Sequence, residues 1–333
     1  MSESAWGNRD IRGQWTPDPL PEPGPLFQWP LRLRKIVKYL FAPESFLWPV
    51  NLFYALLAIV AWYFFTPGPD RTATFAPGWI AEIYLRNAAL LVLIAGGFHL
   101  RLYVKKGQGT KFKYLNKWPA AKNKKFLFSN QTADNIFWNL TSGALIWTAW
   151  EAVSLWMYAN DKIPYISFNT NPVYFILLMI AVIFIRMIHF YWVHRLIHWK
   201  PLYRACHYIH HKNTNIGPWS GLSMHPLEHL LYFSGALFHW IIPSHPIHMI
   251  FHLMHAGASP ALGHAGFHKL VTKGEKGLMN DNYFHFLHHR YFNVNFGHES
   301  VPFDKWFGSF HDGSDEAHQK MQEKRRASKE RTL

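Results

Sequence analysis

Four long apolar segments most constrain what this chain can fold into. They lie at about residues 46–65, 79–100, 134–158 and 172–193, and each is close to the length of roughly 20 residues that a helix needs to cross a membrane. A backbone inside lipid must satisfy its own hydrogen bonds, so segments of this kind are expected to be helices. The sequence therefore predicts an all-α integral membrane protein with a bundle of four transmembrane helices.

The charges between these segments predict the orientation of the bundle. Residues 101–125 carry nine Lys and Arg and no Asp or Glu, which is typical of a cytoplasmic loop. With four spans, both termini and everything after residue 193 lie on the cytoplasmic side of a bacterial inner membrane or the endoplasmic reticulum. The polar first residues predict no cleavable signal peptide. The net charge of +14 lies beside apolar segments, which favours anionic lipid over nucleic acid as its partner.

The same patterns divide the chain into four parts. Residues 1–45 are expected to form a loose proline-rich tail and a basic interfacial segment, residues 46–193 the transmembrane bundle, residues 194–311 a histidine-rich catalytic region, and residues 312–333 a charged tail. Prolines break the apolar stretch 225–262 into halves too short to cross a membrane singly. Histidines flank both ends, so a re-entrant or interfacial helical hairpin is expected there.

Histidines dominate the second half of the chain, in spacings that suit metal binding. Residues at i, i+3 and i+4 share one face of a helix, and neutral imidazole is the commonest metal ligand. Ten such ligands are too many for one ion and suit two. We therefore predict a cytoplasmic, histidine-rich helical cap that binds two metal ions. The candidate ligands are His194, His198, His207, His210, His211, His264, His268, His285, His288 and His289.

Other polar residues have weaker signals. Carboxylates often orient a metal-bound imidazole through its second ring nitrogen, which makes four residues candidates for that role or for a further ligand: His225, Glu228, Asp281 and Asp304. Histidines in the apolar stretch 225–262 share helical spacing, and we expect packing or a substrate channel for them: His245, His248, His252 and His255. Glu82 and Arg86 lie one turn apart, where they can pair.

The ligand set favours iron. Zinc accepts the same ligands, but structural zinc sites use four ligands and are often rich in Cys, and this chain has one Cys. Two iron ions are therefore expected, with zinc as a substitute in purified material. Two other classes are open, a histidine-rich metal transporter and a bis-histidine haem protein. The first usually carries its ligands in flexible loops or mid-span, and the second needs histidines paired deep within spans.

The histidine motifs and their flanks resemble the fatty acid hydroxylase/sterol desaturase superfamily over about residues 194–310. The matching motifs are His194-Arg-Leu-Ile-His198, His207-Tyr-Ile-His210-His211, His225-Pro-Leu-Glu228, His264-Ala-Gly-Phe267, His285-Phe-Leu-His288-His289, Tyr291-Phe-Asn293-Val-Asn295-Phe-Gly297 and Phe303-Asp304-Lys305-Trp306-Phe307-Gly308. The last of these has Phe303 where the family usually has Trp.

The resemblance implies a di-iron, O2-dependent membrane enzyme that acts on a lipid and takes electrons from a separate ferredoxin or cytochrome b5 type donor. Nine histidines carry over as ligands, and His268 matches only some branches of the superfamily. We expect a hydroxylase that inserts a hydroxyl group into a C–H bond of a membrane lipid. The alternative is a lipid or sterol desaturase of the same superfamily.

Overall fold

Helices form most of the molecule. The computed structural model describes residues 6–20, 24–42, 45–272, 276–280 and 282–330. The helices are α1 (Leu33–Phe41), α2 (Leu47–Phe65), α3 (Pro69–Thr72), α4 (Pro77–Val104), α5 (131–159), α6 (Pro172–Ile197), α7 (200–211), α8 (226–241), α9 (Pro246–Ala258), α10 (Pro260–Gly263), α11 (Tyr283–Tyr291), α12 (Phe303–Trp306) and α13 (Asp315–Glu330). Two antiparallel pairs of short strands are β1 (Gly7–Arg9) with β2 (Trp15–Pro17) and β3 (Lys269–Val271) with β4 (Gly277–Met279).

Three of the four expected spans are confirmed as helices long and apolar enough to cross a membrane. These are α2, α4 and α6, and large apolar side chains such as Phe64, Leu93 and Leu177 are exposed on them, as expected of helices that face lipid. The third expected segment is also helical, as α5, but it is not one of these three. The count of four spans therefore stays a prediction.

Helix α9 lies at the centre of the bundle. All 13 of its residues are buried, and it packs against α2, α5 and α6. Its close approach to α5 depends on Gly257, because a Cβ atom there would lie 2.4 Å from the Trp147 ring. The expected hairpin is therefore present as α8 and α9, but its second half lies inside the bundle rather than at an interface.

A buried ion pair joins α4 to α5. Arg86 Nη2 lies 2.5 Å from the Glu151 carboxylate, and both side chains are almost fully buried. The expected partner of Arg86, Glu82, instead pairs with Arg71 at the surface. This pair could not be predicted from the sequence, because spacing within one helix says nothing about the facing helix.

Described segments near both ends of the chain, residues 6–20 and α13, fold onto the histidine-rich region. Trp15 is fully buried in a second hydrophobic core with Phe112 and with Tyr283 and Phe286 of α11. Residues 6–20 are thus packed, although the prolines predicted a loose tail. The charged end of the chain forms α13, from which Lys324 Nζ donates to the Gly308 carbonyl at 2.7 Å.

Candidate metal centre

Four pieces of helical structure carry the candidate ligands to one place. His194 and His198 lie at the C-terminal end of the apolar helix α6. Helix α7 carries three more and α11 another three, while His264 follows α10 directly. Because α6 is rooted in the bundle, the centre lies where the bundle meets the residues after 193.

The structure divides nine of the ten candidate ligands into two groups. Within each group the ligand nitrogens lie within 4.8 Å of one another. The first histidine group is His194, His198, His207, His211 and His288. The second histidine group is His210, His264, His285 and His289.

The nitrogens of the first histidine group are spaced as ligands of one ion. His198 Nε2 lies 3.0 Å from the Nε2 atoms of His207 and His211 and 3.2 Å from that of His288. One ring nitrogen cannot hydrogen-bond to three others at once, since each has a single lone pair or a single proton. Metal–imidazole bonds of about 2.1 Å place two ligand nitrogens at right angles about 3.0 Å apart. The group therefore fits a metal ion.

The second histidine group has the same spacing. His264 Nε2 lies 2.9 Å from His285 Nε2 and 3.1 Å from His289 Nε2, and the last two atoms are 3.2 Å apart. These three nitrogens form a nearly equilateral triangle, as three neighbouring ligands of one ion would. His210 adds a fourth imidazole.

The outer ring nitrogens of the first group hold the imidazoles in the tautomer that a metal needs. The Nδ1 atoms of His194 and His288 donate to the carbonyl oxygens of Phe296 and Val294, each at 2.6 Å. His264 in the second group is held likewise by the Pro260 carbonyl at 3.0 Å. A proton on Nδ1 leaves the lone pair on Nε2, which faces the other ligands.

Glu228 acts on the first group through His207. Its Oε1 atom accepts from His207 Nδ1 at 2.7 Å, and both side chains are about 98 % buried. A carboxylate in this position fixes the ring and makes the other nitrogen a stronger ligand. Glu228 is therefore a positioning residue, in one of the two roles that the sequence allowed.

Asp304 acts one step further from the ligands. It accepts hydrogen bonds from the backbone N–H groups of Phe296 and Gly297 at 2.9 and 2.8 Å, and from the Ser309 hydroxyl at 2.6 Å. The loop that it fixes carries the Phe296 carbonyl that holds His194. Asp304 thus positions a carbonyl rather than an imidazole.

Burial keeps the imidazoles neutral. It lowers the pKa of every histidine in the two groups outside α6, and the proximity of other imidazoles lowers the pKa of each further. A neutral imidazole has the free lone pair that a metal ion requires. No protons need to be displaced from these rings before an ion binds near neutral pH.

Two other candidates within the described residues are not brought to the centre. His268 lies outside both groups, with its ring 4.9 Å from the Trp15 ring, so spacing alone was misleading there. His225 caps α8, where its Nδ1 atom accepts from the Leu227 N–H at 3.2 Å, and it is not a ligand of either group. Asp281 lies outside the described residues.

The histidines of α9 have structural partners. His248 Nε2 donates to the Phe175 carbonyl at 2.9 Å, and His252 contacts His239 at 3.1 Å. These two confirm the expectation of packing. His255 lines a cavity, as the alternative expectation of a substrate channel requires.

That cavity borders the second histidine group. Its volume is about 700 Å³, and His210, His264 and His285 are among the residues that line it. Phe190 of α6 and residues of α1 also contribute to its lining. Pockets of about 300–1,000 Å³ hold small organic ligands. The cavity could not be predicted from the sequence, since no motif marks residues that line a space between helices.

Comparisons with known proteins point to one family. Residues 179–309 match the family model described as "Fatty acid hydroxylase". The chain is 31% identical over 147 residues to the Delta(7)-sterol-C5(6)-desaturase of Nicotiana tabacum, which covers 42% of this chain and 53% of the relative. It is 29% identical over 121 residues to a Delta(7)-sterol 5(6)-desaturase of Saccharomyces cerevisiae, which covers 36% of this chain and 32% of that relative.

The chain spans about half, or less, of the length of these curated relatives. No solved structure matches it. Both histidine groups lie inside the family-model match.

Proposed function

The chain belongs to the fatty acid hydroxylase/sterol desaturase superfamily, and from this premise we propose that it is an O2-dependent di-iron lipid desaturase of a membrane. The reaction removes two hydrogens from neighbouring carbons of a lipid. It consumes one O2, two electrons and two protons, and it releases two water molecules. The observation that carries the proposal is the convergence of nine neutral imidazoles in two groups beside a cavity.

The ligand set supports two iron ions. The first histidine group offers five nitrogens and the second offers four, and none of these ligands is a thiolate or a carboxylate. Imidazole suits iron, copper and zinc, so zinc is a substitute that can occupy the same nitrogens after purification. When bound, the iron pair would supply the reduction of O2 that drives removal of hydrogen from an unactivated C–H bond.

The protein's own residues prepare this chemistry. Backbone carbonyls and Glu228 aim the Nε2 atoms of the first group inward, so little reorganisation is needed when an ion binds. Phe190 packs 4.8 Å from the His194 ring and 6.5 Å from the His285 ring, by ring centroids. This apolar side chain lines the cavity and excludes water from the space where a hydrocarbon chain would lie.

Desaturation is preferred to hydroxylation because the two curated relatives described above are sterol 5(6)-desaturases. Hydroxylation, the first expectation from the sequence, is the second candidate, and the description of the matching family model favours it. The two reactions begin alike and differ in whether a second hydrogen is lost or a hydroxyl group is added. A metal transporter is less well supported. Transporters of this kind usually carry their ligands in flexible loops or in the middle of a span, whereas these nine imidazoles form two compact groups.

The proposal includes a membrane orientation and an electron donor. The termini and both histidine groups lie on the cytoplasmic side of a multi-pass protein, as the positive charge of residues 101–125 favours. Exposed cations of that segment, including Lys105, Lys106, Lys122 and Lys124, would attract an acidic ferredoxin or cytochrome b5 type protein. Lys113 does not contribute to such a surface, because it is 1% exposed.

Mass spectrometry of lipids tests the reaction. Membranes that contain the protein are compared, under oxygen and with an electron donor supplied, with membranes that contain the His288→Ala variant. We expect a lipid that has lost two hydrogens only with the unmodified protein. A lipid that has gained one oxygen would instead support the hydroxylase.

A matched control separates loss of a ligand from loss of any histidine. His225→Ala removes an imidazole outside both groups and should keep activity, apart from the effect of a weaker helix cap. Iron should be present at two ions per unmodified chain. Lipid profiles that never differ between the unmodified protein and His288→Ala would refute the enzyme proposal.

A further inference from the structure

Arg186 of α6 lies in the cavity beside the histidine groups, and the part of the chain that the structure describes gives it no acidic partner. Arg186 lines the cavity together with residues of the second histidine group. Its Nε atom is buried and makes no hydrogen bond, and the Tyr54 and Tyr232 side chains lie near its guanidinium. No carboxylate within the described ranges lies at ion-pair distance from it. A charged side chain inside a membrane bundle is costly unless it is paired or functional.

Among the described residues, little else that lines the cavity neutralises this charge. Lys35 and Lys38 of α1 also line it, and Glu299 is the one acidic residue among the described lining residues. Glu299 faces His298, at 3.6 Å. Burial raises the pKa of Glu299 to about 7, so much of it is protonated near neutral pH. The described part of the cavity lining is therefore positive.

The position of Arg186 relates it to the reaction site. It precedes His194 by two turns on α6, which is about 12 Å along the helix axis. Phe190 lies between them on the same face and contacts both the His194 ring and the Tyr232 ring, whose centroids are 4.8 and 6.1 Å from its own. A molecule in the cavity can therefore contact Arg186 with one end while an apolar part lies beside the histidines.

From this arrangement, and resting on the proposed function, we propose that Arg186 binds the anionic end group of the lipid substrate. The substrate is then a lipid that ends in a carboxylate or a phosphate, and the reacting carbon lies within about 12 Å of that group. A guanidinium donates two parallel hydrogen bonds to either anion. A sterol, whose polar end is a hydroxyl group, would leave this charge unpaired.

Entry from the membrane suits such a substrate. Helix α1 covers the cavity with Lys35 and Lys38 and exposes Leu33 and Val37 on another face. A helix of this kind lies in the plane of a membrane surface. An anionic lipid would meet the two lysines first and then the buried arginine.

Equilibrium binding to the purified, iron-loaded protein in a non-ionic detergent tests the inference without turnover. The probes are palmitate, palmitoyl lysophosphatidate and hexadecanol, which share a 16-carbon chain. We expect at least one anion to bind about tenfold or more tightly than the alcohol. Arg186→Gln should reduce that preference to about one. Arg71→Gln, which removes an exposed arginine, should leave it unchanged.

Binding of the two anionic probes identifies which kind of anion the site prefers. An Arg186-dependent preference for palmitate alone indicates a fatty acid, and one for lysophosphatidate alone indicates a phospholipid head group. Equal affinity of the unmodified protein for all three probes overturns the inference, as does a preference that survives Arg186→Gln. If that variant does not fold, Arg186→Lys replaces it. It should weaken anion binding several-fold without changing alcohol binding, because Lys lacks the two-pronged contact, and unchanged anion binding overturns the inference.

This experiment and the lipid product assay can fail separately. Arg186-dependent binding without any product would leave the anion site in place and refute the proposed reaction. Product formation from a neutral lipid, without an anion preference, would support the proposed reaction and refute the anion site at Arg186.

Discussion

Replacing Glu228 by glutamine should have opposite effects on the metal-free and the metal-bound protein. The Oε1 atom of Glu228 accepts from His207 Nδ1 at 2.7 Å, while Oε2 is buried and has no hydrogen-bond partner within the described residues. Burial raises the pKa of this carboxyl group well above its usual value. Without a nearby cation, the charge of Glu228 is a cost to the fold.

The expected change in metal-binding free energy follows from the type of hydrogen bond that Glu228 accepts from His207. An ionised acceptor contributes about 1.5–3 kcal/mol, against about 0.5–1.5 kcal/mol for a neutral one. Glutamine keeps the acceptor and loses the charge, so the first histidine group should lose about 1–1.5 kcal/mol of metal-binding free energy. That corresponds to an affinity about five- to tenfold weaker. The metal-free variant should unfold at the same temperature as the unmodified protein, or higher.

Competition with a chelator of known affinity measures the iron affinity, and thermal unfolding with and without iron measures both effects on stability. Glu82→Gln is the matched control, because it removes an exposed carboxylate that pairs with Arg71 and should change neither quantity by much. Unchanged iron affinity in Glu228→Gln would show that the charge of Glu228 does not act on the metal through His207. A less stable metal-free variant would refute the argument about the cost of burial.

Three further substitutions test how the centre and the bundle are held. Asp304→Asn should lower the free energy of unfolding by about 1–3 kcal/mol, since one amide oxygen cannot replace two carboxylate oxygens, and weaker iron binding should accompany it. Gly257→Ala should destabilise the protein by about 1–3 kcal/mol or more by overpacking against Trp147, whereas Gly97→Ala, where a Cβ meets open space, should not. Glu151→Gln should cost about 3–5 kcal/mol by leaving its arginine partner buried and uncompensated. Denaturant or thermal unfolding measures all three, and a tolerated Gly257→Ala would contradict the close packing of α9.

The spacing of residues in the sequence predicted those features that depend only on residues close to one another along the chain. The apolar lengths predicted α2, α4 and α6, and the i, i+3, i+4 spacing predicted the eight imidazoles that α6, α7 and α11 bring into the two groups. The sequence also suggested Glu228 as a carboxylate that orients an imidazole. Each of these inferences needs only the period of a helix and the chemistry of one side chain.

Features that depend on facing elements could not be predicted in this way. The partner of Arg86 lies 65 residues away, and the burial of Trp15 depends on residues of α11. His264 and His268 have the same spacing as a pair of ligands on a helix, but the chain is not helical between them. The i, i+4 argument therefore did not apply there, and only His264 reaches the centre.

The two HxxHH motifs explain why the ions would be bound as a pair rather than as two separate sites. Residues at i, i+3 and i+4 share one face of a helix, but adjacent residues on a helix point about 100° apart. His210 and His211 accordingly enter different groups, and so do His288 and His289. Each motif thus contributes to both groups, and α7 and α11 together fix the distance between them. Because neither α7 nor α11 can move one group without moving the other, the spacing on which two-ion chemistry depends is set by the geometry of these two helices.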